Sequence, residues 1–294
     1  MYERILVPLD GSKFAEQVFP PVVELARVFG SEVVLVEVCE PEESEFGQAC
    51  RLYINNEAEQ LKKSLQGSAA NVRTTVLEGK AAEQILSYAE KSDISLIIIS
   101  SHGRSGIAPW SLGGTASKVL HRVGVPLIIV RVQEAPEEST KVALFRRILV
   151  PLDGSERSAA ILPYITELTN KLESEVVLLR VVEMGKHVHT IGGLNYIPYK
   201  DQDIDKAKTS AQSYLDSVNS KLTGAKVTVK SEVRVGDAAR EIIRLAAETS
   251  CSLIAMSSHG YSGIEAWAHG SVAGKILQAS KQSLMFVPSP GTHR

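Results

Sequence analysis

The sequence predicts an α/β protein made of two doubly wound, parallel-sheet domains in tandem. Short apolar runs alternate with segments of helical periodicity through both halves of the chain. The segment Arg4–Ser12 recurs letter for letter as Arg147–Ser155, and Ser100–Ile107 returns with one change as Ser257–Ile264. Two ordered pairs of this length indicate an internal duplication, so each half is expected to form one domain.

The elements of the first half follow from their residue patterns. Apolar runs bounded by Asp, Gly and Ser predict strands, and apolar residues spaced three and four apart predict helices. The predicted strands are Arg4–Leu9, Glu32–Val38, Val72–Leu77, Leu96–Ile99 and Leu127–Val132, and the predicted helices are Ala15–Phe29, Glu57–Leu65, Ala81–Lys91 and Thr115–Arg122. Continuous apolar strands separated by helices indicate a parallel sheet that is covered by helices on both faces.

The second half repeats this pattern with one insertion. The polar stretch Val132–Thr140 contains a proline and predicts a linker. We therefore place a first domain at 1–133, the linker at 134–143 and a second domain at 144–294. The inserted loop Gly185–Tyr199 is either a lid over a binding crevice or a tolerated insertion.

Composition excludes several classes of function. The formal net charge is −2, so the chain has no global basic field to bind nucleic acid or an anionic membrane. It has neither a signal-peptide pattern nor an apolar stretch long enough to span a bilayer. Three scattered cysteines, Cys39, Cys50 and Cys251, suit neither a disulfide framework nor a zinc site. A reducing, cytoplasmic location is the resulting expectation.

The repeated motifs predict a ligand crevice. Asp10 and Asp153 end the first strand of each half, and the Ser-Ser-His-Gly loops end the fourth. Doubly wound sheets bind ligands beyond the carboxyl ends of their strands, where the strand order reverses. Glycine loops and a helix N-terminus such as the one after Gly270 can hold phosphate through backbone amides. The alternative is structural, because Asp-Gly-Ser is also a common turn and helix cap.

The full pattern resembles the universal stress protein family over nearly the whole chain. Members that bind ATP or AMP are marked by Gly, two residues, Gly, nine residues, Gly, then Ser or Thr. The second half departs from that pattern only at Ser257, which stands in place of the first glycine. The first half departs twice, at Ser100 and at Gly114, and Thr115 follows one position late. We therefore expect the second half to be the better nucleotide site.

The resemblance also implies the fold and the ligand. The family fold is a Rossmann-like, five-stranded parallel sheet of order 3-2-1-4-5, and family domains pair through their last strands. In a tandem chain the two halves are expected to form that pair internally, and the chain could also form a homodimer. The implied ligand is ATP or AMP, with Mg²⁺ or Mn²⁺ as the ion that would accompany it.

The resemblance implies which residues bind the nucleotide in each half. In the second half, the nucleotide-binding residues it implies are Pro151, Leu152, Asp153, Val181, Ser257, His259, Gly260, Gly270, Ser271 and Val272. In the first half, they are Pro8, Leu9, Asp10, Val38, Ser100, Gly103, Gly113, Gly114 and Thr115. The adenine would lie near the ends of the first and second strands, and the ribose and phosphates near the glycines.

Other motifs favour structural explanations. The segment around Lys275 fails the P-loop pattern because its spacing is one short and no Ser or Thr follows the lysine. The remaining histidines and tryptophans are interpreted as hydrogen-bonding, solvated or packing residues rather than as catalytic, metal-binding or stacking residues: His102, His259, His187, His189, Trp110 and Trp267.

Three functions remain open from the sequence. The first is an adenine-nucleotide-binding stress sensor or regulator that is not an efficient enzyme. The second is a weak ATP-hydrolysing enzyme that depends on Mg²⁺ or Mn²⁺, which would need more charge at the crevice than the motif loops supply. The third is a dimerisation scaffold whose sites have been closed by the serines that replace glycine.

Overall fold

The fold is given by a computed structural model of the chain. It describes residues 1–39, 44–104, 106, 112–133, 143–183, 201–222, 227–257 and 271–288, with the side chains of 44–46, 201–202 and 271 excepted. Of the sequence motifs, the loop at 185–199, most of the linker and residues 258–270 lie outside the described residues. His187, His189, Trp110 and Trp267 therefore keep only their sequence interpretation.

The first half alternates strands and helices in the predicted order. Its elements are β1 (Arg4–Leu9), a 3₁₀ turn (Ala15–Val18), α1 (Phe19–Phe29), β2 (Glu32–Cys39), α2 (Ser44–Ser64), β3 (Asn71–Glu78), α3 (Ala81–Lys91), β4 (Leu96–Ser100), α4 (Gly114–Arg122) and β5 (Leu127–Val130).

The second half repeats the same order. Its elements are β6 (Arg147–Pro151), α5 (Glu156–Ala159), α6 (Leu162–Lys171), β7 (Glu175–Val182), α7 (Asp201–Asn219), β8 (Thr228–Val235), α8 (Ala238–Glu248), β9 (Leu253–Ser257), α9 (Ser271–Ala279) and β10 (Ser283–Val287).

The strands form one ten-stranded sheet in the order β3-β2-β1-β4-β5-β10-β9-β6-β7-β8. Within each half the strands run parallel and follow the order 3-2-1-4-5, which confirms the predicted fold class. Ile5 of β1 lies opposite Leu96 of β4, so these two strands are neighbours. Their carboxyl ends therefore meet at the point where the strand order reverses.

The core lies on both faces of this sheet. Alternate residues of a strand point to opposite faces, and in β1 both sets are buried: Ile5 and Val7 belong to one apolar cluster and Leu6 to the other, which also contains Val36 of β2. Each cluster contains residues of both halves. This double burial explains why the central strands β1, β4, β5, β9 and β10 are mostly apolar, whereas the edge strands β3 and β8 carry polar and charged residues and are partly exposed.

The two halves meet where β5 and β10 pair antiparallel. Leu127, Ile128 and Ile129 lie opposite Phe286, Met285 and Leu284, and all six are buried. Beyond the strands, the backbone amide of Arg131 donates to Ser283 Oγ at 3.1 Å, and its guanidinium donates to the carbonyl of Leu277 near the end of α9. A cation at a helix C-terminus complements the helix dipole, so this contact fixes one half against the other.

Several predicted boundaries differ from the structure. The first helix begins at Phe19 rather than Ala15, because Pro20 lacks an N–H and suits the first turn of a helix. The helix predicted over Glu57–Leu65 begins much earlier, at Ser44. The strand predicted over Leu127–Val132 ends at Val130, and the backbone amide of the next residue, Arg131, donates to a side chain, Ser283 Oγ.

The structure pairs two of the three cysteines, a pairing that the sequence did not predict. Cys39, at the end of β2, is bonded to Cys50 of α2, with Cα atoms 7.1 Å apart. The early start of α2 packs Cys50 against the strand end, which separation along the sequence does not reveal. Cys251 is free and buried, and burial raises the pKa of its thiol.

In the ranges that the structure describes, no helix is both long enough and apolar enough to cross a bilayer.

Candidate functional site

A cavity of about 240 Å³ opens at the carboxyl ends of β1, β2 and β4 in the first half. It lies where the strand order reverses, as expected for a doubly wound sheet. All nine residues that the resemblance implies for the first half line it: Pro8, Leu9, Asp10, Val38, Ser100, Gly103, Gly113, Gly114 and Thr115. Residues far apart in sequence thus share one surface, although ligand binding there stays a prediction.

Asp10 ties together the two loops that border this cavity. Its Oδ1 accepts hydrogen bonds from the Ser12 backbone amide at 3.0 Å and from Ser12 Oγ at 2.6 Å. Its Oδ2 accepts a third from the backbone amide of Arg104 at 2.8 Å. The carboxylate therefore fixes the turn after β1 to the loop after β4, which is a structural role that leaves part of its accepting capacity for a ligand.

Gly103 allows the loop after β4 to come this close to Asp10. A Cβ at this position would lie 1.9 Å from Asp10 Oδ2, far inside van der Waals contact. The glycine of the Ser-Ser-His-Gly motif therefore serves close packing between two strand-end loops. Glycine is needed at position 103 for this packing whether or not a ligand is bound.

The N-terminus of α4 provides the polar end of the cavity. Gly113 is the N-cap residue of this helix and has no side chain that could cap it. The first amide that donates to the Gly113 carbonyl is that of Ser117, at 3.0 Å. The amides of Gly114 and Thr115 lie in the first turn, where a helix leaves N–H groups without intrahelical acceptors. A Cβ on Gly114 would meet nothing within 4 Å, so this turn faces open space. Such a turn favours an anion through its amides and dipole.

The opposite end of the cavity is apolar. Val36 and Val38 of β2, Ile85 of α3 and Ile99 of β4 line it, and Ile85 and Val36 are almost fully buried. A surface with apolar walls at one end and free amides at the other suits a ligand that has a flat, weakly polar ring and an anionic group.

Two charged residues, one lining the cavity and one behind it, are not among the site residues that the resemblance implies. Arg104 lines the cavity, and its Nη2 lies 3.2 Å from Oε1 of Glu37, whose side chain is 3% exposed. Oε2 of Glu37 has no hydrogen-bond partner among the described residues. Burial raises the pKa of Glu37 to about 7, with Arg104 opposing the increase and Asp10 adding to it. In the sequence, Glu37 could have been recognised as a candidate site residue because it is a charged residue within an apolar strand.

His102 is held within the loop. It is buried, and its Nδ1 lies 3.1 Å from Ser101 Oγ, which also accepts a hydrogen bond from the Val132 amide at 3.2 Å. In the described ranges, no group of three or more His, Cys, Asp or Glu side chains could hold a metal ion.

The second half shows the same turn where the structure describes it. Asp153 Oδ1 accepts from the Ser155 amide at 2.9 Å and from Ser155 Oγ at 2.6 Å, as Asp10 does with Ser12. Of the ten residues implied for this site, the described ones are Pro151, Leu152, Asp153, Val181, Ser257 and Val272. His259, Gly260 and Gly270 and the side chain of Ser271 lie outside the described residues. The expected advantage of the second half therefore stays a prediction.

Replacing Glu37 with glutamine is expected to change how stability depends on pH. The pKa of Glu37 is raised from 4.5 to about 7 in the folded chain, so between these values the folded state holds a proton that the unfolded state releases. Wild-type stability should therefore fall as pH rises through this window, and it should stay lower above pH 7. Relative to Glu37→Gln, the wild type should lose on the order of 3 kcal/mol between pH 4 and pH 8.

Urea unfolding of both proteins at several pH values measures this difference. All other titratable groups are the same in the two proteins, so the difference between their stability curves reports Glu37 together with its coupling to Arg104 and Asp10. Parallel stability curves for the two proteins across the window would contradict the raised pKa.

Comparison with known proteins agrees with the duplicated fold. The family model described as "Universal stress protein family" matches two segments of the chain, residues 1–131 and 144–288. The universal stress protein YxiE of Bacillus subtilis (strain 168) is 29% identical over 147 residues, which is 49% of this chain and 99% of that protein. A universal stress protein of Methanocaldococcus jannaschii is 26% identical over 141 residues, 45% of this chain and 83% of that protein.

A solved structure resembles the whole chain. The crystal structure of a universal stress protein from Archaeoglobus fulgidus superimposes with a TM-score of 0.70 at 19% identity. The match covers 98% of this chain and 99% of the other. At this identity the likeness supports the fold, including its two halves, and nothing finer.

Proposed function

Because this chain belongs to the universal stress protein family, we propose that it binds an adenine nucleotide, ATP or AMP, and acts as a stress-response regulator. The observation that carries this proposal is the first-half cavity, where the open first turn of α4 faces apolar walls from β2 and β4. The apolar walls would contact the adenine ring, and the amides of the first turn of α4 would bind the phosphates.

The phosphates would bind at Gly114 and Thr115. Their amides lie in the first turn of α4, and the Thr115 side chain lines the cavity, so its hydroxyl can donate as well. The adenine ring would pack between Val36, Val38 and Ile99. Asp10 has an oxygen lone pair left over from its loop contacts, and the exocyclic amino group of adenine can donate to it.

We propose that the second half also binds an adenine nucleotide, on the basis of its repeated motifs. Asp153 repeats the turn of Asp10, and Gly260, Gly270 and Ser271 keep the glycine spacing of nucleotide-binding members. Ser271 begins α9, as Gly114 begins α4. A chain with two such sites would bind up to two nucleotides.

We propose a regulator rather than an efficient enzyme because the charges at the first-half site are already engaged. The carboxylate of Asp10 is bonded to the two loops, and the guanidinium of Arg104 is paired with Glu37. Phosphoryl transfer needs charge that is aimed at the reacting phosphate, usually with a metal ion. ATP turnover with Mg²⁺ or Mn²⁺ at rates typical of enzymes would favour the enzymatic alternative.

Regulation would work through differential affinity. A nucleotide shifts the chain toward a conformation, or a partner surface, only as far as it binds that state more tightly. The β5–β10 pairing would let both halves act as one unit in solution, without the need for a homodimer. A cytoplasmic location and an accompanying Mg²⁺ or Mn²⁺ ion belong to the proposal as well.

The test uses Thr115, which lies in the first turn of α4. Thr115→Glu should place a carboxylate among the phosphate-binding amides and weaken ATP binding to the first half by at least tenfold. The same charge stabilises a helix N-terminus, so the protein should stay folded. Thr115→Gln is the matched neutral control and should bind ATP more tightly than Thr115→Glu. Titration calorimetry with ATP and AMP on the full chain measures both variants.

Two results would contradict the proposal. One is the absence of any adenine nucleotide in extracts of the purified protein together with no binding heat in calorimetry. The other is equal ATP affinity and stoichiometry in the wild type, Thr115→Glu and Thr115→Gln, which would place the ligand elsewhere.

A further inference from the structure

A disulfide joins the end of β2 to the beginning of α2. Cys39 is the last residue of β2, and Cys50, 11 positions later, lies in the second turn of α2. On the strand side, Cys39 pairs with Glu78 of β3, and its carbonyl accepts a hydrogen bond from the Gly79 amide at 3.0 Å. The end of β2 is therefore fixed within the sheet by its own hydrogen bonds.

The helix side of the bond has fewer contacts of this kind. Between positions 47 and 53, Cys50 is the one buried residue, and its neighbours on both sides are exposed: Gln48, Ala49, Arg51 and Leu52. The next buried residue is Ile54, one turn later, which is 1% exposed and belongs to the apolar core. Without the disulfide, a single buried thiol would hold the first turns of α2, residues 44–53, against the sheet.

The sequence of these turns does not compensate for the loss of the bond. Gly47 lies among them, and glycine is the poorest helix former after proline. Short helical segments are unstable in water, so helices in proteins depend on packing against the rest of the fold. A cross-link supplies this attachment by restricting the chain between the two cysteines. When it is broken, the first turns of α2 are expected to open while the rest of the helix stays packed.

We propose that Cys39 and Cys50 form a reversible thiol–disulfide switch, modified by a low-molecular-weight thiol such as glutathione, that attaches the first turns of α2 to β2 when oxidised and releases them when reduced. In the cytoplasmic location that we propose, permanent disulfides are rare, and those that form are usually transient and redox-sensing. This switch goes beyond nucleotide binding and does not depend on it.

The exchange reaction is balanced by the small thiol. Each cysteine is 8% exposed, and exposed residues flank Cys50, so a small thiolate can reach the bond from the solvent side of α2. It attacks one sulfur, forms a mixed disulfide and releases the other cysteine as a thiolate, which takes up a proton. A second molecule of the thiol then releases the remaining cysteine. Two electrons pass to the cysteine pair, and the two small thiols leave as their own disulfide; oxidation is the reverse reaction.

The redox state is measured on the full chain in mixtures of reduced and oxidised glutathione. The free thiols are trapped with an alkylating agent and counted by mass spectrometry. Since the chain has three cysteines and Cys251 is free, the count should change reversibly from one in the oxidised protein to three in the reduced protein. A count of three in excess oxidised glutathione, or of one in excess reduced glutathione without denaturant, would overturn the proposal.

Hydrogen–deuterium exchange measures the conformational effect. The amides of residues 48–53 follow the first four of α2, which have no intrahelical acceptors, and therefore report whether these turns are formed. Their exchange should be at least tenfold faster in the reduced protein, whereas that of residues 55–64 should change less than twofold. Equal exchange of residues 48–53 in the two redox states would overturn the proposal.

Variants separate the bond from the packing of its side chains. Cys39→Ala removes the bond but leaves Cys50 in place, so it should show the fast exchange even in oxidised glutathione. Ala49→Ser, at the exposed position next to Cys50, should behave as the wild type in both redox states. Gly47→Ala should restore part of the protection in the reduced protein, because alanine favours the helix. Slow exchange of residues 48–53 in Cys39→Ala would show that packing alone holds these turns and would overturn the proposal.

Discussion

Replacing Gly103 with alanine is expected to lower the free energy of unfolding by about 2–4 kcal/mol and to abolish nucleotide binding to the first half. The new Cβ would lie 1.9 Å from Asp10 Oδ2. Asp10 cannot move aside freely, because the same carboxylate accepts from Ser12 and from the Arg104 amide. Relief of the clash would therefore break at least one of these hydrogen bonds and separate the loops.

Two other glycines serve as controls for this substitution. Gly47 lies within α2 with nothing within 4 Å of an added Cβ, so Gly47→Ala should raise stability by about 0.5–1 kcal/mol. Gly114→Ala also meets open space and should change stability by less than about 0.5 kcal/mol. Urea denaturation of the three variants gives the comparison. A Gly103→Ala protein as stable as Gly114→Ala would show that the two loops do not depend on this close approach.

Replacing Phe286 with alanine is expected to cost about 3–5 kcal/mol, because it empties a fully buried site in the middle of the ten-stranded sheet. Phe286 is 1% exposed and lies on β10 opposite Leu127 of the other half. Since both core clusters run through both halves, the loss should shift a single unfolding transition as a whole.

Differential scanning calorimetry measures this prediction. Leu52→Ala is the control, because Leu52 is a large apolar residue that is 67% exposed on α2, and its loss should change stability little. Two separate transitions, of which Phe286→Ala moves only one, would show that the halves unfold independently and that the β5–β10 joint does not unite them.

The fold could be predicted from the sequence because the central strands are buried on both faces and are therefore continuous apolar runs. β1 was predicted with the residue bounds that the structure has, since its apolar run ends abruptly at Asp10. The start of α2 was missed because its buried residues, including Cys50 and Ile54, are spread among polar ones. The Cys39–Cys50 pairing was missed for the same reason, because it depends on where that helix begins.

The site was predicted in its outline but not in its electrostatics. Repeated motifs identified Asp10, Gly103 and the two glycines at the start of α4, Gly113 and Gly114, and these line one cavity. Glu37 was read as an ordinary residue of a strand, because sequence periodicity does not reveal which side chains meet across loops. Its contact with Arg104 joins residues of two different strand ends, and only the folded arrangement brings them within 3.2 Å.

A crystal structure of the full chain grown with saturating ATP would show whether the first-half cavity binds the nucleotide. We expect nucleotide density in that cavity, with phosphate oxygens within hydrogen-bonding distance of the Gly114 and Thr115 amides and the adenine ring against Val36 and Val38. An empty first-half cavity in crystals whose protein binds ATP in solution, or a nucleotide bound away from the first turn of α4, would contradict this expectation.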